Sequence, residues 1–303
     1  MNIFKNIIRA ILPPFFFKMF MFLKNKKNEI NLQTDKKIEN GDRFYKIEDC
    51  TVILPNEHFL DIYQNQFVTY DKFISILSGF IDKSSTVIDI GANVGDSAIP
   101  FLKKGIKTVC VEPSSFYLDY LRKNIEINGF EQDAFIVQKV ISNTFFSGKL
   151  VHEKGTAVLD QYSGDSQDYD SIKFDELVVG LKNISFVKID TDGFDYDVII
   201  SGIEFFKENS PLLYFENFIN NNLEGYLKAY DLLKMVGYNK LAIFDNKGVL
   251  IIKDGNWDNL KDINTYLTFN DHIDYLDVFC WKNNDDNLSS KIINKYCDKY
   301  IKR

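Results

Sequence analysis

Two stretches of this chain carry residue types that can do chemistry. "VIDIGANVGD" (87–96) runs an apolar stretch into an acid, then sets glycines at 91 and 95 around Asn93. "FVKIDTDGFDYD" (186–197) places Asp190, Asp192, Asp195 and Asp197 behind a second apolar stretch. A short strand, a tight turn and a helix form the place where an open α/β sheet binds a nucleoside, beyond the carboxyl ends of its strands. A dinucleotide site would need glycines two and five residues beyond Gly91. Asn93 and Asp96 stand there instead, and an acid at 96 would oppose a phosphate on the helix N-terminus. No P-loop exists either.

The turn therefore suits a nucleoside without a phosphate tail, and S-adenosylmethionine fits. Its amino-acid end carries an ammonium, for which Asp89 is well placed. Glu112 ends the next apolar run, "TVCVE", where a carboxylate can accept both ribose hydroxyls. Methyl transfer from a sulfonium needs an aligned acceptor and removal of its proton. Asp190 or Asp192 is the candidate base or orienting group. Asp195 and Asp197 open a helix and read as capping and dipole partners. His152, in "LVHEKGTA", is an alternative base in a loop. Asp190-Thr191-Asp192 is also a D-x-D, the pattern by which many glycosyltransferases hold a divalent cation and a sugar nucleotide, so that reading competes. A protein keeping the fold without the activity is a third.

No metal is expected. Three histidines (His58, His152, His272) and four cysteines (Cys50, Cys110, Cys280, Cys297) show no zinc-ligand spacing. "DTDGFD" is no EF-hand, since Gly193 is fourth from Asp190 rather than sixth.

The surrounding pattern supplies the elements that must position these residues. "FYKI" and "TVIL" flank Glu48-Asp49-Cys50 as a hairpin, and Phe73, Ile74, Leu77, Phe80 and Ile81 give a helical face over 70–81. Strands are expected at 86–90, 108–112, 135–141, 185–190, 211–217, 240–246 and 275–282. Helices fall between them, one from about Asp96 to Lys104 and one stopping at Asn128-Gly129. Alternation of this kind predicts an α/β fold with a mostly parallel, seven-stranded sheet covered by helices on both faces. Residues 247–270 read as an insertion that could cover the acceptor or pair with another chain.

Taken in order, these motifs resemble those of the FkbM-type methyltransferases. Their pattern runs Asp-x-Gly-Ala-Asn-x-Gly, then a strand ending Val-Glu-Pro, continued here by "KVISN" (139–143) and "LLYFEN" (212–217). Where the family commonly has Lys-Ile-Asp-Val-Glu-Gly-x-Glu, this chain keeps Lys188, Ile189, Asp190 and Gly193 but carries aspartates at 192 and 195. The likeness covers roughly Tyr70 to Ile243. It implies a Rossmann-like class I methyltransferase using S-adenosyl-L-methionine, acting on a hydroxyl of a sugar or polyketide. By position, Asp89, Gly91, Ala92, Asn93, Gly95 and Asp96 would shape the methionine pocket. Glu112 with Pro113 would hold the ribose, and Ser142 and Asn143 would lie near the adenine.

The whole chain has 303 residues and a formal net charge of -7, which argues against nucleic acid as a partner. The start differs from the rest. Ile3, Phe4, Ile7, Ile8 and Ile11 share a helical face, and "FFFKMFMFL" runs into Lys24, Lys26 and Lys27. That run is too short to span a bilayer but suits a membrane interface, or packing on protein. The expected organisation is a basic amphipathic segment and linker (1–42), a hairpin and helix (43–82), the methyltransferase core (83–285) and a tail helix (286–303). A cytoplasmic enzyme is expected, with residues 1–27 as a peripheral membrane contact, a saccharide or other small-molecule acceptor, and a homo-oligomer left open.

Overall fold

The computed structural model describes residues 41–144, 149–153, 156–160, 171–220, 222–268 and 275–301. The amphipathic start lies outside them. The chain divides into two compact units, residues 1–43 and 44–303, and the central sheet belongs to the second.

The chain enters through a hairpin, β1 (Arg43–Ile47) and β2 (Cys50–Leu54). Both of its turn residues, Glu48 and Asp49, have positive φ, as the right-handed twist of a two-residue hairpin demands. Helices α1 (Leu60–Gln66) and α2 (Lys72–Ser78) follow. Then come β3 (Thr86–Ile90), α3 (Ile99–Leu102), β4 (Lys107–Val111), α4 (Ser115–Ile127) and β5 (Ala134–Val137). Short β6 (Val140–Ile141), β7 (Lys149–Glu153), β8 (Thr156–Asp160), β9 (Ser171–Ile172) and α5 (Phe174–Leu177) lead to β10 (Ile184–Ile189). Helices α6 (Asp195–Ser201) and α7 (Ile203–Asn209) precede β11 (Leu212–Asn217). The chain closes with α8 (Leu223–Met235), β12 (Tyr238–Asp245), β13 (Leu250–Gly255), α9 (Trp257–Leu267), β14 (Leu276–Lys282) and α10 (Asp286–Tyr300).

The central sheet has eight strands in the order β13-β12-β14-β11-β10-β3-β4-β5. From β11 across to β5 neighbours run parallel, whereas β14 is antiparallel to both β11 and β12. This is the Rossmann-like α/β architecture the sequence predicts, with one strand more. The eighth is β13, from the segment read as an insertion. That segment is no lid: Trp257, Leu260 and Leu267 of α9 are buried, and Asn264 bonds Asn217 of β11 at 2.8 Å. Two further expectations are corrected. The strand over 135–141 divides, because Gln138 turns to the Pro113 carbonyl (3.3 Å) and β6 then leaves to pair with β9. The helix expected over 96–104 is only α3, since 91–98 is consumed by the turn.

Strand β3 is buried at all five positions, as a strand covered on both faces must be. From it the chain winds outward through β4 to β5, then returns to place β10 on β3's other side. Strand order reverses between β3 and β10, and ligands of open α/β sheets bind at such a point. Two tethers fix the loops above it. Asn124 and Asn128, one turn apart on α4, pair with the β2 backbone: Ile53 N–H donates to Asn124 (2.7 Å) and Thr51 N–H to Asn128 (3.0 Å). On the other side Thr69 donates to the Lys247 carbonyl (2.7 Å), and a side chain at Gly248 (φ +77°) would collide with the Thr69 carbonyl at 2.3 Å.

Candidate active site

At the switch point two strand ends touch. Gly91 has φ +78°, and a Cβ on it would stand 1.7 Å from the Asp190 carbonyl oxygen. Only glycine lets the β3 turn lie against the end of β10. The next turn residue, Asn93, is left-handed (φ +47°), which aims its backbone N–H at Glu112 Oε2 (2.9 Å). Ser114 N–H donates to the other oxygen, Oε1 (2.8 Å). The Glu112 carboxylate is thus fixed by two backbone donors. Burial nevertheless pushes its carboxyl up to about 7, with Asp192 and Asp89 adding to the rise.

Behind the turn, Asp89 accepts from the Ser97 hydroxyl (2.7 Å). Its other oxygen is buried without a hydrogen-bond partner, 3.6 Å from Lys188 Nζ, too far for a bond. Lys188 donates to Asp190 at 2.9 Å. Burial alone would lower the Lys188 ammonium, but Asp190, Asp89 and Asp96 outweigh it and hold it well above its ordinary value. Burial raises the acids around it: Asp96 to about 6, with Asp89 contributing, and Asp71 to about 7, with Asp96 contributing.

The aspartate run separates into distinct roles. Asp190 and Asp192 line the cavity, Asp192 at left-handed φ +52°. Asp195 is not the helix cap expected of it. Fully buried, it accepts from Thr191 N–H (3.0 Å), Thr191 Oγ1 (2.7 Å) and Glu216 N–H (2.9 Å). It binds the end of β10 to β11, and burial pushes its carboxyl up to about 8, Asp190 adding to it. Asp197, read with it as a cap, accepts instead from Ser142 Oγ (2.6 Å) and Asn143 N–H (2.9 Å). Ser142 and Asn143 are therefore tied to α6 beside the cavity, whose wall there is Lys139, Val140 and Ile141.

The cavity encloses about 310 Å³. It brings together Gly91, Asn93, Asp96, Glu112, Pro113, Asp190 and Asp192 of the expected site. Asp89, Ala92 and Gly95 stand behind the wall and shape it. His152 sits on β7, opposite Ala157, rather than in a loop. The sequence reading missed His58, Tyr70, Asp71, Glu216, Tyr275 and Asp277, all on the cavity wall. Only Glu216 had a signal, closing the "LLYFEN" strand. His58 holds the glycine turn from outside: Leu60 N–H donates to its Nδ1 (3.2 Å), leaving the Nε2 side to Asn93 Oδ1 at 3.3 Å. Among the described residues, no three His, Cys, Asp or Glu side chains are grouped to hold a metal ion.

Residues 89–239 match the methyltransferase FkbM domain, the span that runs from Asp89 of the turn through β11 and α8. The chain is an FkbM-type, S-adenosylmethionine-dependent methyltransferase. Solved structures sharing features with this FkbM-type chain are distant. P. horikoshii TYW2 in complex with MeSAdo has a TM-score of 0.44 at 12% identity, over 82% of this chain and 74% of that one. A Pyrococcus abyssi tRNA (uracil-54, C5)-methyltransferase in complex with S-adenosyl-L-homocysteine has a TM-score of 0.42 at 13%, over 82% and 48%. An O-methyltransferase from Bacillus cereus in complex with SAH has a TM-score of 0.40 at 13%, over 74% and 88%. All three lie below 0.5, so the assignment rests on the domain match and the sheet order. No curated protein matches the chain.

The FkbM site fits its donor on its own geometry. The glycine turn is a cradle that a Cβ would fill, Asp89 keeps a buried oxygen without a hydrogen bond, and Glu112 is held by backbone at the end of β4.

Proposed function

We propose that this FkbM-type enzyme methylates a hydroxyl oxygen of a saccharide or glycolipid precursor. The observation that carries the reading is the charge of the cavity. Among the described residues, Asp71, Asp96, Glu112, Asp190, Asp192, Glu216 and Asp277 share the wall with three cations, Lys72, Lys139 and Lys188. Such a wall disfavours phosphate or carboxylate acceptors and favours a ligand rich in hydroxyls, which carboxylates bind as hydrogen-bond acceptors. Bound S-adenosylmethionine supplies an electrophilic methyl on a sulfonium. Glu112 would hold the ribose hydroxyls, and the Asp89 oxygen with the backbone of 91–95 would hold the amino-acid end. Asp190 or Asp192 would orient the acceptor hydroxyl and take its proton. The Lys188 ammonium, 2.9 Å from Asp190, holds that carboxylate in place.

The test is transfer of labelled methyl from S-adenosylmethionine to a panel of saccharides and polyols. An alkali-stable methyl ether, lost in Asp190→Asn with the fold intact, is the expected product. Label recovered as a methyl ester or on an amine nitrogen would end the hydroxyl reading. Residues 1–27 belong to the same proposal as a contact with anionic membrane. Equal liposome co-sedimentation of the chain with and without them would end that part. Among the described residues no helix is long and apolar enough to cross a membrane.

A further inference from the structure

Glu216 and Asp277 stand opposite one another. In the antiparallel register of β11 and β14 each is the other's direct partner, so both side chains leave the sheet on the same face. Both line the cavity. Like charges in directly opposed cross-strand positions repel, and no cation among the described residues pairs with either acid. The Tyr214 hydroxyl gives Asp277 a hydrogen bond but brings the pair no positive charge. Glu216 is 7% exposed. Its backbone N–H and C=O are bound to Asp195 and Tyr226, but no donor among the described residues reaches its carboxylate. The ammonium of Lys188 is committed to Asp190, with Asp89 beyond it. Tyr70, Tyr214 and Tyr275 complete this end of the cavity, and aromatic rings beside carboxylates are favourable surroundings for a cation.

We propose that the Glu216–Asp277 pair is a subsite for a protonated amine on the acceptor, so that the methylated hydroxyl belongs to an aminated polyol such as an amino sugar. The pair is a cross-strand dyad, Glu216 buried and Asp277 half-buried, that a single ammonium can bridge by charge-assisted hydrogen bonds. Burial, together with Asp190 and Asp192, pushes the Glu216 carboxyl well above its ordinary range, which fits a site completed by a positive ligand. The inference rests on the hydroxyl-methylation reading of the same cavity and adds what stands beside the hydroxyl.

The experiment is calorimetric titration of the full chain, saturated with S-adenosylhomocysteine, with glucosamine, glucose and N-acetylglucosamine. Glucosamine is expected to bind roughly tenfold more tightly than the two neutral sugars, the worth of one charge-assisted hydrogen bond. E216Q and D277N should each abolish that preference, with S-adenosylhomocysteine binding as the control for an intact fold. Equal binding of charged and neutral sugars would overturn the proposal, since the dyad would then be sharing a proton rather than awaiting an amine. So would binding of none of them, or a preference that survives both substitutions. Failure of S-adenosylhomocysteine to bind would instead strike the donor reading beneath it.

Discussion

The two halves of the cavity are built on different principles. In the half made by β3 and β4, the carboxylates are held by short-range partners: Glu112 by the N–H groups of Asn93 and Ser114, Asp89 by Ser97. In the half made by β10, β11 and β14, carboxylates from distant segments face each other, and among the described residues no donor reaches the carboxylate of one of them, Glu216. Fixed backbone donors suit a ligand that is always the same. Facing carboxylates without a cation between them suit a ligand that brings its own complement. On the function proposed above, the first half would take the donor and the second the acceptor, and the contrast can be broken at several points.

The largest effect is expected at Gly91. Gly91→Ala puts a methyl 1.7 Å from the Asp190 carbonyl at φ +78°, so the two halves must part. Overpacking and a left-handed alanine together cost about 3 kcal/mol or more. Urea unfolding should show that loss, and calorimetry should show no S-adenosylhomocysteine binding. A variant of ordinary stability would mean the strand ends do not touch.

The donor half was legible in the sequence because its geometry is local. Asp89, Gly91, Asn93 and Glu112 fall within one strand-turn-helix-strand unit, and their spacing follows from the unit itself. The order of strands was legible too, since alternation of apolar runs and helical faces survives in one dimension. The acceptor half was not. Tyr70, Asp71, Glu216 and Asp277 meet only through sheet order and the tether of Thr69 to Lys247, neither of which leaves a spacing signal. The run at 190–197 misled for a related reason. Acids before a helix look like caps, but here Asp195 and Asp197 turn sideways to Glu216 and Ser142, partners 21 and 55 residues away.

Next in size is a pH effect centred on Glu112. Glu112 is pushed from 4.5 up to about 7 in the fold. Between those values the folded protein keeps a proton that the unfolded chain has lost, so stability of the donor-free protein falls as pH rises. The loss is on the order of 2 kcal/mol between pH 5 and pH 8, and levels off above about 7. Asp71 and Asp96, raised to about 7 and about 6, act in the same direction. Glu112→Gln should flatten part of this slope in thermal unfolding. An unchanged slope would place the burden on the other acids.

Asp195 is the seam between the halves, and its removal tests whether they are coupled. Asp195→Ala leaves the N–H groups of Thr191 and Glu216 without their acceptor, a cost of about 1–2 kcal/mol. Turnover should suffer more than donor affinity, because the freed backbone carries Asp190, Asp192 and Glu216 but not Glu112. Equal losses in both would show that the seam serves the whole cavity.

The smallest effect is expected at His58, which reaches the donor half from outside the matched domain. Its Nδ1 accepts from Leu60 N–H, so the ring nitrogen left for Asn93 is Nε2, and that contact is long at 3.3 Å. The Asn93 turn is already fixed by its own backbone bond to Glu112, which makes His58, on the cavity wall, a brace for that turn. His58→Phe keeps a ring of similar bulk against Tyr117, which His58 meets edge-on at 6.2 Å, and removes both hydrogen bonds. Affinity for S-adenosylhomocysteine should fall about three- to tenfold, the net worth of roughly one neutral hydrogen bond, with unfolding little changed. A hundredfold loss would move His58 into the donor half proper. No change at all would mean that β2, α4 and the glycine turn hold the donor side without it.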